Sequence, residues 1–153
     1  MEGLKSLIAQ ILINFVGRYT LILLHDYMGL LRGPLSGEWE QLIYDEKGQL
    51  VKRDRVKLRH IKDTVMGSIR REWSKKGDET YKRWKFLGRV RHRLLFAIFW
   101  TTDERRNPES YGTIQLLSKG EEMEGFYVRL IIRGEELAIR EELRNIKLKW
   151  RRL

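Results

Sequence analysis

Residues 83–102 read Arg83-Trp84-Lys85-Phe86-Leu87-Gly88-Arg89-Val90-Arg91-His92-Arg93-Leu94-Leu95-Phe96-Ala97-Ile98-Phe99-Trp100-Thr101-Thr102. The first half alternates strictly. Trp84, Phe86, Gly88 and Val90 fall on one side of a strand and Lys85, Leu87, Arg89 and Arg91 on the other, the period of two that marks a half-buried strand. The second half is apolar on both sides, with Leu94, Phe96, Ile98 and Trp100 on one face and Leu95, Ala97 and Phe99 on the other. Such a strand calls for cover on its outer surface as well as its inner one. His92-Arg93 would be the bend of a central hairpin, and the outer cover, on this reading, lies over Leu95, Ala97 and Phe99.

Working outward, the same alternation recurs in short runs separated by turn residues. Residues 36–44 alternate up to Asp45-Glu46-Lys47-Gly48. In residues 55–61, Val56, Leu58 and His60 oppose Arg55, Lys57 and Arg59. A tight reversal at Lys62-Asp63 leads into residues 64–73, where Val65, Gly67, Ile69 and Arg71 share a face. Lys75-Lys76-Gly77-Asp78 breaks before the central hairpin, and residues 103–110, containing Asn107-Pro108, form the next connection. Gly112, Ile114 and Leu116 line one side of residues 111–117, and Lys119-Gly120-Glu121 turns into residues 123–132. Residues 134–143, rich in Glu, Leu, Ala and Arg, fit a short helix or a loop. Residues 145–152 place Ile146, Leu148 and Trp150 inward and Lys147, Lys149 and Arg151 outward. About eight short strands joined by tight turns predict a mainly β, antiparallel up-and-down barrel over residues 36–153. Gly67, Gly88, Gly112 and Gly125 in mid-strand favour closure over a sandwich, because glycine inside a strand marks the bends a small barrel needs.

Ahead of this body, residues 4–31 read as one long apolar helix, within an N-terminal segment of residues 1–33. Leu4, Leu7, Ile8, Ile11, Leu12, Phe15, Tyr19, Ile22 and Leu23 keep helical spacing, opposite a polar stripe of Gln10, Asn14 and Arg18. Gly33-Pro34 stops it. A window from Ser6 to Leu24 holds 19 residues with Arg18 near its middle. That arginine costs about 2.5–3.5 kcal/mol in a bilayer, and two spans would not fit in the segment. A packed or oligomerising helix, an interfacial helix and a single membrane anchor all remain open. Glu2 in the region that should be positive argues against a signal peptide.

The chain of 153 residues carries 31 Lys and Arg against 21 Asp and Glu, a net charge of +10. Residues 1–36 contribute Lys5, Arg18 and Arg32 against Glu2 and Asp26, so nearly all of the excess sits on the barrel. A basic body implies an anionic partner such as a phosphorylated ligand, nucleic acid or a lipid surface. Cysteine is absent, which excludes disulfides, thiolate nucleophiles and Cys-based zinc sites. The three histidines, His25, His60 and His92, fall on separate elements without metal-ligand spacing, so no metal or cofactor is expected. With no phosphate loop, nucleophile elbow or triad order, the chain reads as a non-enzyme.

Alternation also says where a ligand would sit. Inward-facing polar residues among apolar neighbours are costly unless they meet a ligand or one another. The candidates are Gln41, His60 and Arg71, with Tyr127 closing a rim. An inward Arg71 would fork onto a phosphate, or, near its strand end, snorkel to water. Outside, Arg55, Lys57 and Arg59, then Arg89 and Arg91, then Lys147 and Lys149 recur at period two. These rows suit phosphates or an anionic leaflet, and equally a solvated face that discourages edge pairing.

Gly37-Glu38-Trp39, Val65-Met66-Gly67-Ser68-Ile69-Arg70, Phe86-Leu87-Gly88-Arg89-Val90, Tyr111-Gly112-Thr113-Ile114-Gln115-Leu116 and Met123-Glu124-Gly125-Phe126-Tyr127 follow the order of glycine-aromatic patterns in small lipocalin-like barrels. Together they resemble the β-barrel domains of bacterial anti-phage effectors of the cyclic-oligonucleotide signalling systems known as CBASS. The resemblance covers residues 36–153. It implies a ligand-sensing barrel that binds a cyclic nucleotide and couples it to homo-oligomerisation or membrane action of the N-terminal helix. The protein would then be prokaryotic, cytoplasmic or associated with the inner membrane through residues 4–31. The typical effector has two clean transmembrane helices, whereas this chain has one interrupted segment. Two other functions stay open: a nucleic-acid-binding barrel that stacks bases on Trp73, Trp84 or Tyr81, and a structural oligomerisation module with no small ligand.

Overall fold

A computed structural model describes Thr20 and residues 32–106, 110–133, 136–139 and 146–153. The chain divides into two compact units, Met1–Arg32 and Gly33–Leu153. Apart from Thr20, the helix expected over residues 4–31 lies outside the described residues. Among the described residues no helix is long and apolar enough to cross a membrane.

The second unit is an antiparallel barrel. Its strands are β1 Gly37–Tyr44, β2 Leu50–Ile61, β3 Thr64–Ser74, β4 Arg83–Arg91, β5 Leu94–Thr101, β6 Tyr111–Ser118, β7 Glu122–Arg133, β8 Glu136–Ile139 and β9 Lys147–Arg152. Strands β1 to β7 pair in sequence order, and β9 inserts between β7 and β1, so eight strands close on themselves. Closure leaves the ring with no open edge, which an open sheet of this size would expose to other chains. The reversals at Lys62-Asp63 and His92-Arg93 are tight, with Lys62 and His92 both at φ 56°.

The ninth strand corrects one expectation, because residues 136–139 of the stretch read as helix or loop form β8. The cause lies in β7, which outruns its neighbour. β9 pairs with β7 only from Glu122 to Phe126, and β8 takes the edge left beyond it, from Leu130 to Arg133. Backbone groups that would otherwise go unpaired outweigh the helical preference of Glu, Leu and Ala.

The central hairpin corrects another. Gly88 opposes Ala97, Phe86 opposes Phe99 and Val90 opposes Leu95, and opposed residues share a face. Leu95, Ala97 and Phe99 therefore follow Phe86 into the core, where all four are buried. The outer face belongs to Leu94, Phe96, Ile98 and Trp100, all exposed.

Inside, Trp39, Val56, Val65, Phe86, Leu95, Leu116, Met123, Leu148 and Trp150 fill the barrel. Phe86 and Trp150 meet edge to face at 5.7 Å across it, a favoured aromatic geometry. Gly67 shows why glycine stands in mid-strand. A Cβ there would run into the Lys57 carbonyl and the Phe86 ring, so only glycine admits this close approach.

Candidate functional site

The interior has two differently built ends. At one end, the residues just before β1 close over His60. The Gly33 amide donates to the His60 carbonyl at 2.6 Å and the His60 amide donates to Ser36 Oγ at 2.8 Å. Trp39 Nε1 donates to the Leu35 carbonyl at 2.9 Å. Arg152 lies over the Trp39 ring and donates to the Pro34 carbonyl at 2.5 Å. This end is plugged by the chain itself.

At the other end, the inner faces of β1, β2, β3 and β9 bring a charged network into the barrel. Asp54 is fully buried and accepts hydrogen bonds from Arg71 Nε and from Gln41 Nε2, the latter at 2.5 Å. Trp150 Nε1 donates to Gln41 Oε1 at 2.8 Å. Arg71 Nη1 reaches Glu79 Oε2 at 3.0 Å, and Lys82 donates to the other oxygen of Glu79. The Arg71 guanidinium also sits 5.2 Å from the centre of the Trp84 ring, whose Nε1 donates to Ser110 Oγ at 2.8 Å.

Asp54 meets Arg71 in the regular register of β2 and β3, which continues from Val56 with Ile69 and Arg55 with Arg70, and the register shifts just beyond them. Arg53 pairs with Trp73 but Asp54 pairs with Arg71, so Glu72 is the extra residue of a bulge in β3. Bulges re-aim side chains. Here Ser74 turns inward opposite Lys52, while Glu72 stays outside to pair with Arg55 at 2.8 Å.

Titration reflects the crowding. Burial raises the Asp54 carboxyl above its ordinary range, against the pull of Arg71 and Gln41. Burial also works against a charged Glu79. Hydrogen bonds from Lys82 and Ser74, with the charges of Lys82 and Arg71, outweigh it and hold Glu79 at about 2. Lys52 is pushed down to about 8, first by burial and then by Arg71 and Lys82, with Glu79 and Asp54 opposing.

The network walls a cavity of about 60 Å³ lined by Lys52, Arg71, Lys82, Tyr127 and Arg129 among others. That is room for a few waters or one small polyatomic group, since a single water needs roughly 10–15 Å³ on this measure. Arg71 is not the cation with capacity to spare, because Asp54 and Glu79 take its donors. Lys52 is different. Among the described residues no carboxylate lies within ion-pairing distance of it, although it stands beside two other cations.

Of the residues picked out by alternation, Gln41, Arg71 and Tyr127 line this cavity together. His60 faces inward too, but at the plugged end, so it does not join them. Period two extended back from His60, Leu58 and Val56 reaches Asp54 and Lys52, a signal passed over by starting the strand at Arg55. Glu79 and Lys82 arrive from the β3–β4 connection, which no periodicity reveals.

The outer basic rows are largely neutralised. Arg55 pairs with Glu38 and Glu72, Lys57 with Glu38, Arg89 with Asp63, and Lys149 with Glu122 and Glu124. Arg59, Arg91 and Lys147 are exposed on three different strands and form no continuous stripe. Among the described residues no group of His, Asp and Glu is placed to hold a metal ion. No family model, curated protein or solved structure matches this chain.

Proposed function

We propose that the barrel is a binding module, without catalytic chemistry, that seats a small anionic group such as a phosphate over Lys52 at its polar end. The observation that supports this most is Lys52 itself: a part-buried ammonium, flanked by Arg71 and Lys82, with no carboxylate of its own. An ammonium held this way is costly until an anion neutralises it. Asp54 and Glu79 fix Arg71 and Lys82 in place, and Tyr127 offers an aromatic wall on the β7 side.

The cavity's size narrows the ligand. Pockets that enclose a whole small molecule run to roughly 300–1,000 Å³, well above the 60 Å³ found here. A cyclic nucleotide, the ligand implied by the resemblance to anti-phage effectors, would place phosphate oxygens in the cavity and leave its bases outside. Binding would then be coupled to oligomerisation or membrane action of residues 1–33. The nucleic-acid alternative draws less support, because most of the outer cations already have partners.

Calorimetric titration of the full chain with inorganic phosphate and a panel of cyclic mono-, di- and trinucleotides tests this. The wild type should bind at least one of them. Lys52→Met should weaken that binding roughly 10- to 100-fold, the range for losing a charge-assisted hydrogen bond. A chain that binds none, or a Lys52→Met variant that binds as well as wild type, overturns the proposal.

A further inference from the structure

The outer face of β4 to β7 is built unlike the rest of the barrel. Leu87, Leu94, Phe96, Ile98, Trp100, Leu117 and Phe126 stand out from four neighbouring strands, each 38–51% exposed. Their spacing is set by register, with Leu87 beside Ile98 and Phe96 and Phe126 on either side of Gln115. Scattered apolar residues on a surface need no explanation, but a contiguous group of this kind marks an interaction site.

The margin of the face says what it meets. Lys85 opposes Trp100, Arg89 opposes Phe96 and Arg91 opposes Leu94 across β4 and β5, while Lys147 opposes Phe126 across β9 and β7. The acidic groups nearby, Asp63 and Glu124, are held by Arg89 and by Lys119 and Lys149. An apolar centre with a basic rim matches the boundary between acyl chains and headgroups of an anionic lipid surface. Rings such as Trp100 favour that boundary, and each Lys or Arg near it gains from the negative headgroups. A second copy of this chain fits less well, since a two-fold contact would set one basic rim against another.

The barrel cannot pass through the bilayer by this face. A spanning barrel needs an apolar band around its whole circumference, and the outer side of β1, β2 and β9 carries Glu38, Glu40, Arg53, Arg55, Lys149 and Arg151 instead. We infer that the β4–β7 face docks, without spanning, on an anionic lipid surface, with Phe96, Ile98 and Trp100 entering the interface and Lys85, Arg91 and Lys147 contacting headgroups.

Flotation of the full chain with vesicles of phosphatidylcholine, with and without phosphatidylserine, tests this. Binding should require the anionic lipid and fall as salt rises. Phe96→Glu with Ile98→Glu should abolish it, and Lys85→Ala or Arg91→Ala should each weaken it about fivefold. Both glutamates would lie outside the core, and circular dichroism checks that the variant folds. If it does not fold, quenching of the wild-type tryptophans by brominated lipid gives an independent readout, which Trp100→Phe should largely remove. Three results overturn the inference. One is no binding to anionic vesicles. Another is binding untouched by the two glutamates, which would assign it to residues 4–31. The third is a solution oligomer that those glutamates dissociate, which would make a second copy the occupant.

Discussion

The two ends of the barrel interior start from similar material and finish differently. At the plugged end, His60, Ser36, Trp39 and Arg152 bond within the chain, mostly to backbone carbonyls of residues 34–36 and of His60 itself, and His60 Nε2 is left buried without a partner. At the polar end, among the described residues, Lys52, Arg71 and Lys82 share only Asp54 and Glu79. A buried polar residue is therefore not a site by virtue of being buried. What separates the ends is whether the chain supplies a counterpart for every charge, and only the polar end leaves one for a ligand to supply.

The largest effect that would break this comparison is at Asp54. Removing one partner of a buried ion pair leaves the other charged and unpaired, so Asp54→Ala should cost about 3–5 kcal/mol in urea unfolding. A loss below about 1 kcal/mol would mean that Arg71 does not depend on Asp54. At the plugged end the sensitive position is Gly33, where a Cβ would strike the His60 ring. Gly33→Ala should cost about 1–3 kcal/mol, as overpacking does, while anion binding at the far end is unchanged. If it also weakens binding, the two ends are not independent.

Lys52 should behave in the opposite sense. Its ammonium is held below its unfolded value near 10.4, so the folded state pays for keeping it charged. Lys52→Met should be neutral or about 1 kcal/mol more stable at pH 7, a trade of function against stability. Between about pH 8 and pH 10.4 the unfolded chain binds more protons at this position, so wild-type stability should rise with pH there. Subtracting the Lys52→Met pH profile isolates that contribution, and an identical profile would contradict the site's electrostatics.

The smallest effect is at Glu79. Its carboxyl is held at about 2, so its contribution is present above the unfolded value near 4.3 and fades as pH falls towards 2. Because the Glu79 side chain keeps about a fifth of its surface in water (18%), screening should hold the loss below about 1 kcal/mol. Glu79→Gln should remove that part of the acid transition.

Much of the fold was legible in single residues. The alternation of Trp84, Phe86, Gly88 and Val90 with Lys85, Leu87, Arg89 and Arg91 gives both the strand and its inner face, because only one side is apolar. β5 shows where this fails. With Leu94 to Trp100 apolar throughout, period two defines two faces without saying which is inside, and the pairing of Ala97 with Gly88 decides it. The composition of residues 134–143 fits a short helix or a loop, and the free edge of β7 makes residues 136–139 a strand instead. In the site, Gln41 and Arg71 were readable as inward polar residues. The bulge at Glu72 has no sequence period, and Glu79 and Lys82 are joined to Arg71 only by the folded β3–β4 connection.

The unsatisfied charge at the polar end is tested most directly by titrating the Lys52 ammonium by NMR in the full chain, with and without saturating inorganic phosphate or the best-binding cyclic nucleotide. Without ligand it should titrate near 8, and with ligand it should move up towards its ordinary 10.5, because the bound anion stabilises the charged form. A Lys52 that titrates at the same pH in both conditions would contradict an anion site there.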